Sequence, residues 1–192
     1  MVSHLTLDEL NTGLSAIRQS PADKGVLKAI VIRPATEERV SLTECKISPE
    51  LGVHGDHWSQ GCWMSLPDGK PDPDVQIAIM NARAIDLIAQ DEHRWSLAGD
   101  NLYVDLDLSS ENLVCGQQLC VGSATIEITG VAHNGCKKFV QRFGADAVKF
   151  VNSELGKALH LRGIYAKVVQ SGVVRVGDVI EKRCVHPGQA DT

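Results

Sequence analysis

The sequence predicts a mainly β domain, a barrel or a sandwich, with a few helices added to it. Several short segments, such as "VLKAIVIRP" and "SATIEITG", are rich in β-branched residues and alternate apolar with polar side chains, which is typical of strands. Helical spacing is confined to a few short stretches, and the regular strand–helix alternation of a doubly wound fold is missing. At 192 residues the chain suits one domain with a sizeable core.

Composition and charge narrow the class of protein. The chain is 43% hydrophobic and 22% charged, as globular proteins are, and its net charge of -5 argues against general nucleic-acid binding. No apolar run approaches the roughly 20 residues that span a bilayer, and no secretion signal is recognisable at the N-terminus. We therefore expect a cytoplasmic protein without nucleic-acid or membrane partners, whose six cysteines are reduced thiols.

The first half of the chain predicts a helical extension followed by strands. Residues 1–24 carry apolar side chains at helical spacing after Thr6-x-x-Glu9, a possible capping box. "VLKAIVIRP" and "ERVSLTECKIS" predict two strands, and "LPDGKPDPD" predicts a loop. "VQIAIMNARAIDLIAQDE" predicts a strand that runs into a helix over 82–90, with Asn81 as its N-cap.

The second half is mostly strand-like. "ENLVCGQQLCVGSATIEITGVA" contains a turn at 116–118 and an alternating strand, and "FGADAVKFVNSELGKAL" has helical spacing. "GIYAKVVQSGVVRVGDVIEK" shows two alternating runs joined by residues 170–172, which predicts a β-hairpin. Residues 183–192 are expected to form a flexible tail.

Three clusters carry residues suited to chemistry, and the first is "GVHGDHWSQGC". His54, His57 and Cys62 are spaced like part of a zinc site, although no fourth ligand stands nearby. Alternatively, Gly52 and Gly55 let backbone N–H groups approach an anionic ligand closely. The simplest interpretation is a glycine-turned loop whose polar side chains bond to the backbone.

The second cluster, "LAGDNLYVDLDL", places Asp100 and Asn101 between a glycine and an alternating strand. Both residue types are common in turns, which is the simpler interpretation. As part of a site, the Asn101 amide can both donate to and accept from a polar heterocycle.

The third cluster, "VAHNGCKKFVQRFG", sets Cys136 between a glycine and the cations Lys137, Lys138 and Arg142. Neighbouring cations favour the thiolate, which is the form that attacks electrophiles and binds soft metals. The competing interpretation is a buried cysteine that behaves as a small apolar residue.

Two further cysteines, Cys115 and Cys120, flank a predicted turn. Their spacing leaves open a redox pair, but it differs from the C-x2-C of known redox motifs. We interpret them as two cysteines that fill a strand pair.

Taken together and in this order, the clusters resemble the MOSC domain, the module named for the C-terminal part of molybdenum-cofactor sulfurases. "GVHGDHW" resembles the family's Gly-x-x-Gly-Asp segment, and "AGDNLYVDLDL" is similar to its Gly-Glu-Asn-Leu segment. "LCVGSATIEITGVAHNGCKKF" resembles the Val-Gly strand that leads to the family's cysteine, and "RGIYAKVVQSGVVRVGDVIE" resembles its closing hairpin. The resemblance covers roughly residues 25–182 and implies a MOSC-like β-barrel with a few peripheral helices.

The chain departs from the family pattern at three places. Asp100 replaces the usual glutamate, and residues 133–135, His-Asn-Gly, stand where many members carry Arg-x-Pro before the cysteine. The segment "MSLPDGKPDPD" lengthens a loop beside the first cluster. These differences bear on the substrate more than on the fold.

The resemblance implies that the protein binds the molybdenum cofactor, molybdopterin, with Cys136 as molybdenum ligand or sulfur carrier. A soft thiolate suits molybdenum, and cations and backbone N–H groups suit the cofactor's phosphate end. The residues implied to contact the cofactor are Gly55, Asp56, His57, Asp100, Asn101, Lys137, Lys138, Arg142, Arg162 and Tyr165.

The leading functional hypothesis is an oxidoreductase that reduces N-hydroxylated bases or related N–O compounds, as some stand-alone relatives do. Because no iron–sulfur cysteine spacing occurs, we expect a separate reductase protein to supply the electrons.

The alternative is a carrier that bears a persulfide on Cys136, or that delivers the cofactor without turnover. In sulfurases this module accompanies a pyridoxal-phosphate desulfurase domain, which we expect here to be a separate partner. A domain that keeps the fold but has lost its ligand is the third interpretation.

Overall fold

The computed structural model describes residues 4–183 and confirms the mainly β architecture. Its strands are β1 (Gly25–Ile32), β2 (Val40–Leu42), β3 (Glu44–Ser48), β4 (Gly52–Val53), β5 (Ile77–Asn81), β6 (Leu102–Asp105), β7 (Gln118–Val121), β8 (Ala124–Ile128), β9 (Ile164–Gln170), β10 (Gly172–Arg175) and β11 (Val179–Lys182). The α-helices are α1 (Leu7–Thr12), α2 (Leu14–Ile17), α3 (Ala82–Ala89), α4 (Lys137–Phe143), α5 (Ala145–Asn152) and α6 (Glu154–Ala158). Short 3-10 helices span His57–Gln60, Pro73–Val75 and Glu92–Ala98.

Seven strands close into a barrel in the order β1, β6, β5, β9, β8, β7 and β11, and β11 pairs back to β1. β5 and β6 run parallel, whereas the other barrel pairs are antiparallel. β2 pairs with β1 outside the ring, and β10, β3 and β4 form a second sheet. Side chains such as Leu27, Ile79 and Ile180 are fully buried in the main core, because alternate residues of each barrel strand point inward.

A second apolar layer lies between the barrel and the helices. Leu10 from α1, Met80 from β5, Tyr103 from β6, and Phe139 and Phe150 from α4 and α5 belong to it, and each is almost completely buried. The N-terminal helices therefore share one core layer with the helices that follow the Cys136 cluster. None of the helices within residues 4–183 combines the length and the apolar composition needed to span a bilayer.

The predicted hairpin at residues 170–172 is wrong. β9 pairs with β5 and β8 in the barrel, whereas β10 leaves the barrel and pairs with β3. The backbone passes very close to β8 here, since a Cβ on Gly172 would lie 2.4 Å from the backbone nitrogen of Ala124. An antiparallel hairpin does occur nearby, where Gly122 and Ser123 join β7 to β8.

Several local predictions are confirmed. Thr6 and Glu9 form a reciprocal capping box at the start of α1, and Asn81 caps α3. The segment "LPDGKPDPD" begins as a loop, which an isolated bridge between Ser65 and Pro71 holds at its base, and ends in the short 3-10 helix Pro73–Val75.

The cysteines within residues 4–183 are free thiols. The strand-pair interpretation is wrong for Cys115, which is exposed in the turn before β7, whereas Cys120 lies in that strand. Cys184 and the predicted tail from residue 184 onward lie outside the described residues.

Asn81 ties the end of β5 to the surrounding elements. Its side chain is buried, and its Oδ1 accepts from the backbone N–H of Ala84 at 2.9 Å. Its Nδ2 donates to the hydroxyl of Ser20 and to the carbonyl of Leu106, both at 2.8 Å. One amide thus links the start of α3 to the N-terminal segment and to the chain after β6.

Replacing Asn81 by alanine is expected to lower the free energy of unfolding by about 2–4 kcal/mol, because a cap is lost and buried partners are left unsatisfied. Thr6→Ala, at the exposed cap of α1, should cost only about 1 kcal/mol. Urea unfolding followed by circular dichroism measures both losses. Equal losses would contradict the linking role assigned to Asn81.

Candidate functional site

A cavity of about 400 Å³ opens beside the end of β1 and the start of α4. Part of the set implied by the family resemblance lines it: His57, Cys136, Lys138, Arg142, Arg162 and Tyr165. The first and third sequence clusters therefore meet at one cavity, although they are far apart in the chain. Its volume lies within the range of small-molecule sites, roughly 300–1,000 Å³.

A buried hydrogen-bond network supports the floor of the cavity, and Arg33 is its member that lines the cavity. Arg33, which follows β1, donates from Nε and Nη2 to the two carboxylate oxygens of Asp56, each at 2.9 Å. The Arg33 backbone N–H adds a third bond to Asp56 at 2.8 Å. Asn101 donates to the same carboxylate at 3.0 Å and accepts from Arg33 Nη2 at 3.2 Å. The network joins the end of β1, the loop after β4 and the start of β6.

A second ion pair also supports the floor, through Arg162, which lines the cavity. Arg162 Nη1 donates to both carboxylate oxygens of Asp100, at 2.7 and 3.0 Å. The guanidinium also lies over the ring of Phe139, 5.0 Å from its centroid. Gly163 has a φ of +105°, and a Cβ there would lie 2.3 Å from the carbonyl oxygen of Ile79. Glycine is therefore required at position 163, between Arg162 and the start of β9, for the backbone to place Arg162 at the floor.

Burial and charge act in opposite directions on these ionic groups. Burial disfavours the charged form of Asp56, but the hydrogen bonds and charge of Arg33 outweigh it and lower the pKa of Asp56. Burial likewise opposes the charge on Arg33, yet Asp56 raises the pKa of that guanidinium. For the fully buried Asp100, burial outweighs the attraction of Arg162 and raises the pKa. Asp56 is thus the fixed negative charge that holds Arg33.

One wall of the cavity is aromatic. His133 stacks on Tyr165 with ring centroids 4.3 Å apart, and Trp63 lies 6.4 Å from Tyr165. Trp63 is 67% exposed, so its ring is available at the rim. Burial lowers the pKa of His133 well below its usual value, and the charges of Arg162 and Arg33 add to this effect. Burial also raises the pKa of Tyr165 to about 12, so this wall is uncharged near neutral pH.

Cys136 lies at the N-cap of α4 with its side chain exposed. The preceding residue is clamped by Asn152 of α5, whose Oδ1 accepts from the Gly135 N–H at 2.8 Å and whose Nδ2 donates to the Gly135 carbonyl at 3.1 Å. A Cβ on Gly135 would lie 2.9 Å from Val151. The backbone at the thiol is therefore fixed, while its side chain stays accessible at the cavity.

Another part of the lining is cationic. Lys138 Nζ and Arg142 Nη2 donate to the two carboxylate oxygens of Glu37, at 2.8 and 2.5 Å. These bonds, first to Lys138 and then to Arg142, lower the pKa of Glu37 to about 2. The cations that line the cavity are Arg33, Arg39, Lys138, Arg142 and Arg162. Among the described lining residues, Glu37 is the only acidic one.

Three buried polar atoms on the lining residues have no hydrogen-bond partner: Nε of Arg39, Nδ1 of His133 and Nε of Arg162. Within residues 4–183, one other buried side-chain atom, Nε1 of Trp95, is in this condition. A buried polar group without a partner costs about 1–3 kcal/mol. Their concentration at one cavity makes these three residues candidates for contact with a polar ligand.

Some residues implied by the family resemblance do not line the cavity, namely Gly55, Asp56, Asp100, Asn101 and Lys137. Asn101 is fully buried, and its amide nitrogen and oxygen both have partners within the protein. Its role at the cavity is therefore to hold Arg33 rather than to form part of the lining. Asp56 acts in the same indirect way.

The zinc alternative has no set of ligands in the structure. In the part of the chain that is described, no three His, Cys, Asp or Glu side chains are grouped so that they could hold a metal ion. His54 Nε2 contacts the Ser48 hydroxyl at 3.1 Å, and His57 Nδ1 donates to the Arg33 carbonyl at 2.8 Å. Both histidines therefore orient the loop.

Several further lining residues escape the sequence prediction, and the charged or aromatic ones discussed here are Arg33, Glu37, Arg39 and Trp63. Arg33 does leave a signal, since a charged residue ends an apolar β-branched run directly before a proline. Glu37, Arg39 and Trp63 stand in polar, irregular segments, where the sequence pattern does not separate them from ordinary surface residues.

The bidentate ion pair between Arg33 and Asp56 is expected to contribute far more to stability than a similar pair in a more exposed position. Arg33→Lys keeps the positive charge but cannot form the bidentate contact, and it should lower the free energy of unfolding by about 3 kcal/mol. Arg83→Lys is the matched control, because Arg83 forks Asp105 at 2.8 and 3.0 Å in a more exposed position and should lose less than about 1 kcal/mol. Urea unfolding compares them, and an equal or smaller loss in Arg33→Lys would contradict the assignment.

Comparisons with known proteins agree with this fold. The family model for the MOSC domain matches residues 70–181, which is more than half of the chain and includes Asp100, Cys136 and Arg162. Among curated proteins, none matches the chain.

Several solved structures share the fold. The YuaD protein from Bacillus subtilis has a TM-score of 0.62 at 19% identity, over 83% of this chain and 95% of that one. YiiM from Escherichia coli has a TM-score of 0.53 at 18% identity, over 82% of this chain and 69% of that one. YiiM from Geobacillus stearothermophilus has a TM-score of 0.51 at 15% identity, over 84% of this chain and 73% of that one. These likenesses establish the fold, and the family match adds the sequence evidence: the chain belongs to the MOSC domain family.

Proposed function

We propose that this MOSC protein binds the molybdenum cofactor in the cavity, with Cys136 as the molybdenum ligand, and that it reduces N-hydroxylated bases or related N–O compounds. The observation that carries the proposal is that an exposed thiol, an excess of cations and three unpartnered polar atoms meet at one cavity. A soft thiolate suits molybdenum, and cations suit a ligand with a phosphate end.

The charges around the cavity fit such a cofactor. Arg33 and Arg162 are each balanced by a buried carboxylate, so they form a rigid floor without excess charge. The remaining cations, Lys138, Arg142 and Arg39, are three positive charges against the single negative charge of Glu37. A ligand with two negative charges would balance this excess, and a phosphate end meets that condition near neutral pH.

The aromatic wall supports a planar substrate. Trp63 and Tyr165 both line the cavity, and aromatic side chains offer a heteroaromatic base favourable stacking contacts. His133 is neutral and therefore offers a hydrogen-bonding ring without a competing charge. These residues bind and orient the substrate beside Cys136.

The reduction of an N-hydroxylated base consumes two electrons and two protons: R–NHOH + 2e⁻ + 2H⁺ → R–NH2 + H2O. The cofactor, held by Cys136 and the cations of the cavity, would supply two-electron redox chemistry of the kind that removes oxygen from an N–O compound. The sequence carries no iron–sulfur cysteine spacing, so the electrons come from a reductase partner.

A persulfide carrier is the second candidate, and the exposure of Cys136 favours it. In this function a separate desulfurase transfers a sulfur atom to the thiol, and the cavity holds the cofactor that receives it. The two functions share the ligand site and differ in turnover.

Protein produced in a host that makes the molybdenum cofactor is expected to contain about one molybdenum per chain, held through the Cys136 thiolate. Cys136→Ser should lose most of the metal, whereas Cys62→Ser should keep it. Cys62 is the matched control because it is the second thiol that lines the cavity. Elemental mass spectrometry gives the ratio, and equal loss from both variants or a metal-free wild type would contradict the proposal.

The molybdenum-loaded protein, given a chemical reductant, is expected to convert N-hydroxylated bases to the corresponding amines. Trp63→Ala should raise KM several-fold with little change in kcat, because an exposed stacking contact binds the ground and transition states alike. Chromatographic assays over a panel of substrates measure both constants. Loaded protein that is inactive on the whole panel, but gains the mass of one sulfur atom on Cys136, would instead establish the carrier.

A further inference from the structure

Glu37 lies in the turn between β1 and β2 and faces the cationic part of the cavity. Its two carboxylate oxygens are shared between Lys138 and Arg142, at 2.8 and 2.5 Å. The backbone of Glu37 has a φ of +63°, in the left-handed region that residues other than glycine rarely adopt. The side chain is nevertheless 57% exposed. A strained, exposed residue thus places its carboxylate where two cations converge.

The cations are held independently of Glu37. Arg142 Nη1 donates to the carbonyl of Leu97 at 2.8 Å, and its side chain is largely buried. Arg39 Nη1 donates to the carbonyl of Glu38 at 2.6 Å, which leaves its buried Nε without a partner. If the Glu37 carboxylate moved away, Arg142 would keep its backbone anchor and Arg39 would still have a free donor.

We propose that Glu37 is an internal counter-ion that occupies the place of the ligand's anionic end, is displaced when the ligand binds, and thereby selects doubly charged phosphate groups over singly charged anions. This inference rests on the proposed function only in requiring that a phosphate-bearing ligand enters this cavity.

The selection follows from the balance of charge in the exchange. A singly charged anion only replaces the charge of the Glu37 carboxylate, so the exchange yields little net binding free energy. A phosphate dianion brings one more negative charge and enough oxygen atoms to accept from Lys138 and Arg142 at the same time, and its extra charge is also attracted by Arg39, the third such cation of the lining. Displacement of Glu37 is feasible because its own carboxylate and Lys138 are both exposed, and ion pairs between exposed side chains are weak.

The test uses the full chain, produced without cofactor, and titrates it with inorganic phosphate or with acetate at a pH where phosphate is the dianion. Shifts of the backbone amide signals of α4 in NMR spectra report binding. Glu37→Gln is expected to bind phosphate roughly three- to tenfold more tightly than the wild type, and to bind acetate measurably where the wild type does not. Glu38→Gln changes the next residue, an exposed glutamate of the same loop, and should behave as the wild type.

Each other outcome is decisive. Unchanged phosphate affinity in Glu37→Gln, with binding lost in Arg142→Gln, would overturn the role of Glu37 but leave the anion site intact. Weaker phosphate binding in Glu37→Gln would mean that Glu37 orders the cations, and would also overturn the inference. If phosphate shifts no α4 signal in the wild type or in either glutamate variant, the anion site of the proposed function fails and the inference fails with it.

Discussion

The pairing of Arg33 with Asp56 is the interaction on which the site depends. A carboxylate as buried as that of Asp56 is costly to keep charged unless a cation and hydrogen bonds compensate, and Arg33 supplies a fork and its backbone N–H. The same guanidinium donates to the carbonyl of Gly99 and to the side chain of Asn101. One residue therefore joins the end of β1, the loop after β4 and the segment before β6, and the cavity takes its shape from that junction.

Asp100 pairs with Arg162 as Asp56 pairs with Arg33, so the cations of the cavity fall into two groups with different roles. Two guanidiniums are matched by buried carboxylates and cannot leave them without exposing an uncompensated charge. Lys138, Arg142 and Arg39 have no buried carboxylate of their own and share the exposed Glu37 or none. The first group determines the geometry of the floor, and the second is available to a ligand because its one carboxylate partner, Glu37, is exposed.

Sequence reasoning succeeds here where the information is local. The capping box of Thr6 and Glu9 and the cap at Asn81 act over three residues, so a short pattern reveals them. The fork of Arg33 spans 23 residues and the contact of Glu37 with Arg142 spans 105, and no pattern along the chain encodes such pairings. The wrongly predicted hairpin after β9 has the same origin. Two alternating runs joined by a short turn have the same sequence pattern whether the strands pair with each other or join different sheets.

The departure from the family pattern before Cys136 has a consequence for charge. His133, which stands where the resemblance leads one to expect arginine, lies 3.6 Å from Asp100 and stacks on Tyr165. An arginine there would place a further positive charge beside a carboxylate that Arg162 already occupies, whereas the neutral imidazole leaves the floor balanced. The lining near Cys136 therefore includes an aromatic, uncharged wall, and the free cations are gathered around Glu37. The proposed substrate, a flat and uncharged base, and the anionic end of the proposed cofactor make opposite demands on their surroundings, and this separation is what one cavity needs in order to meet both.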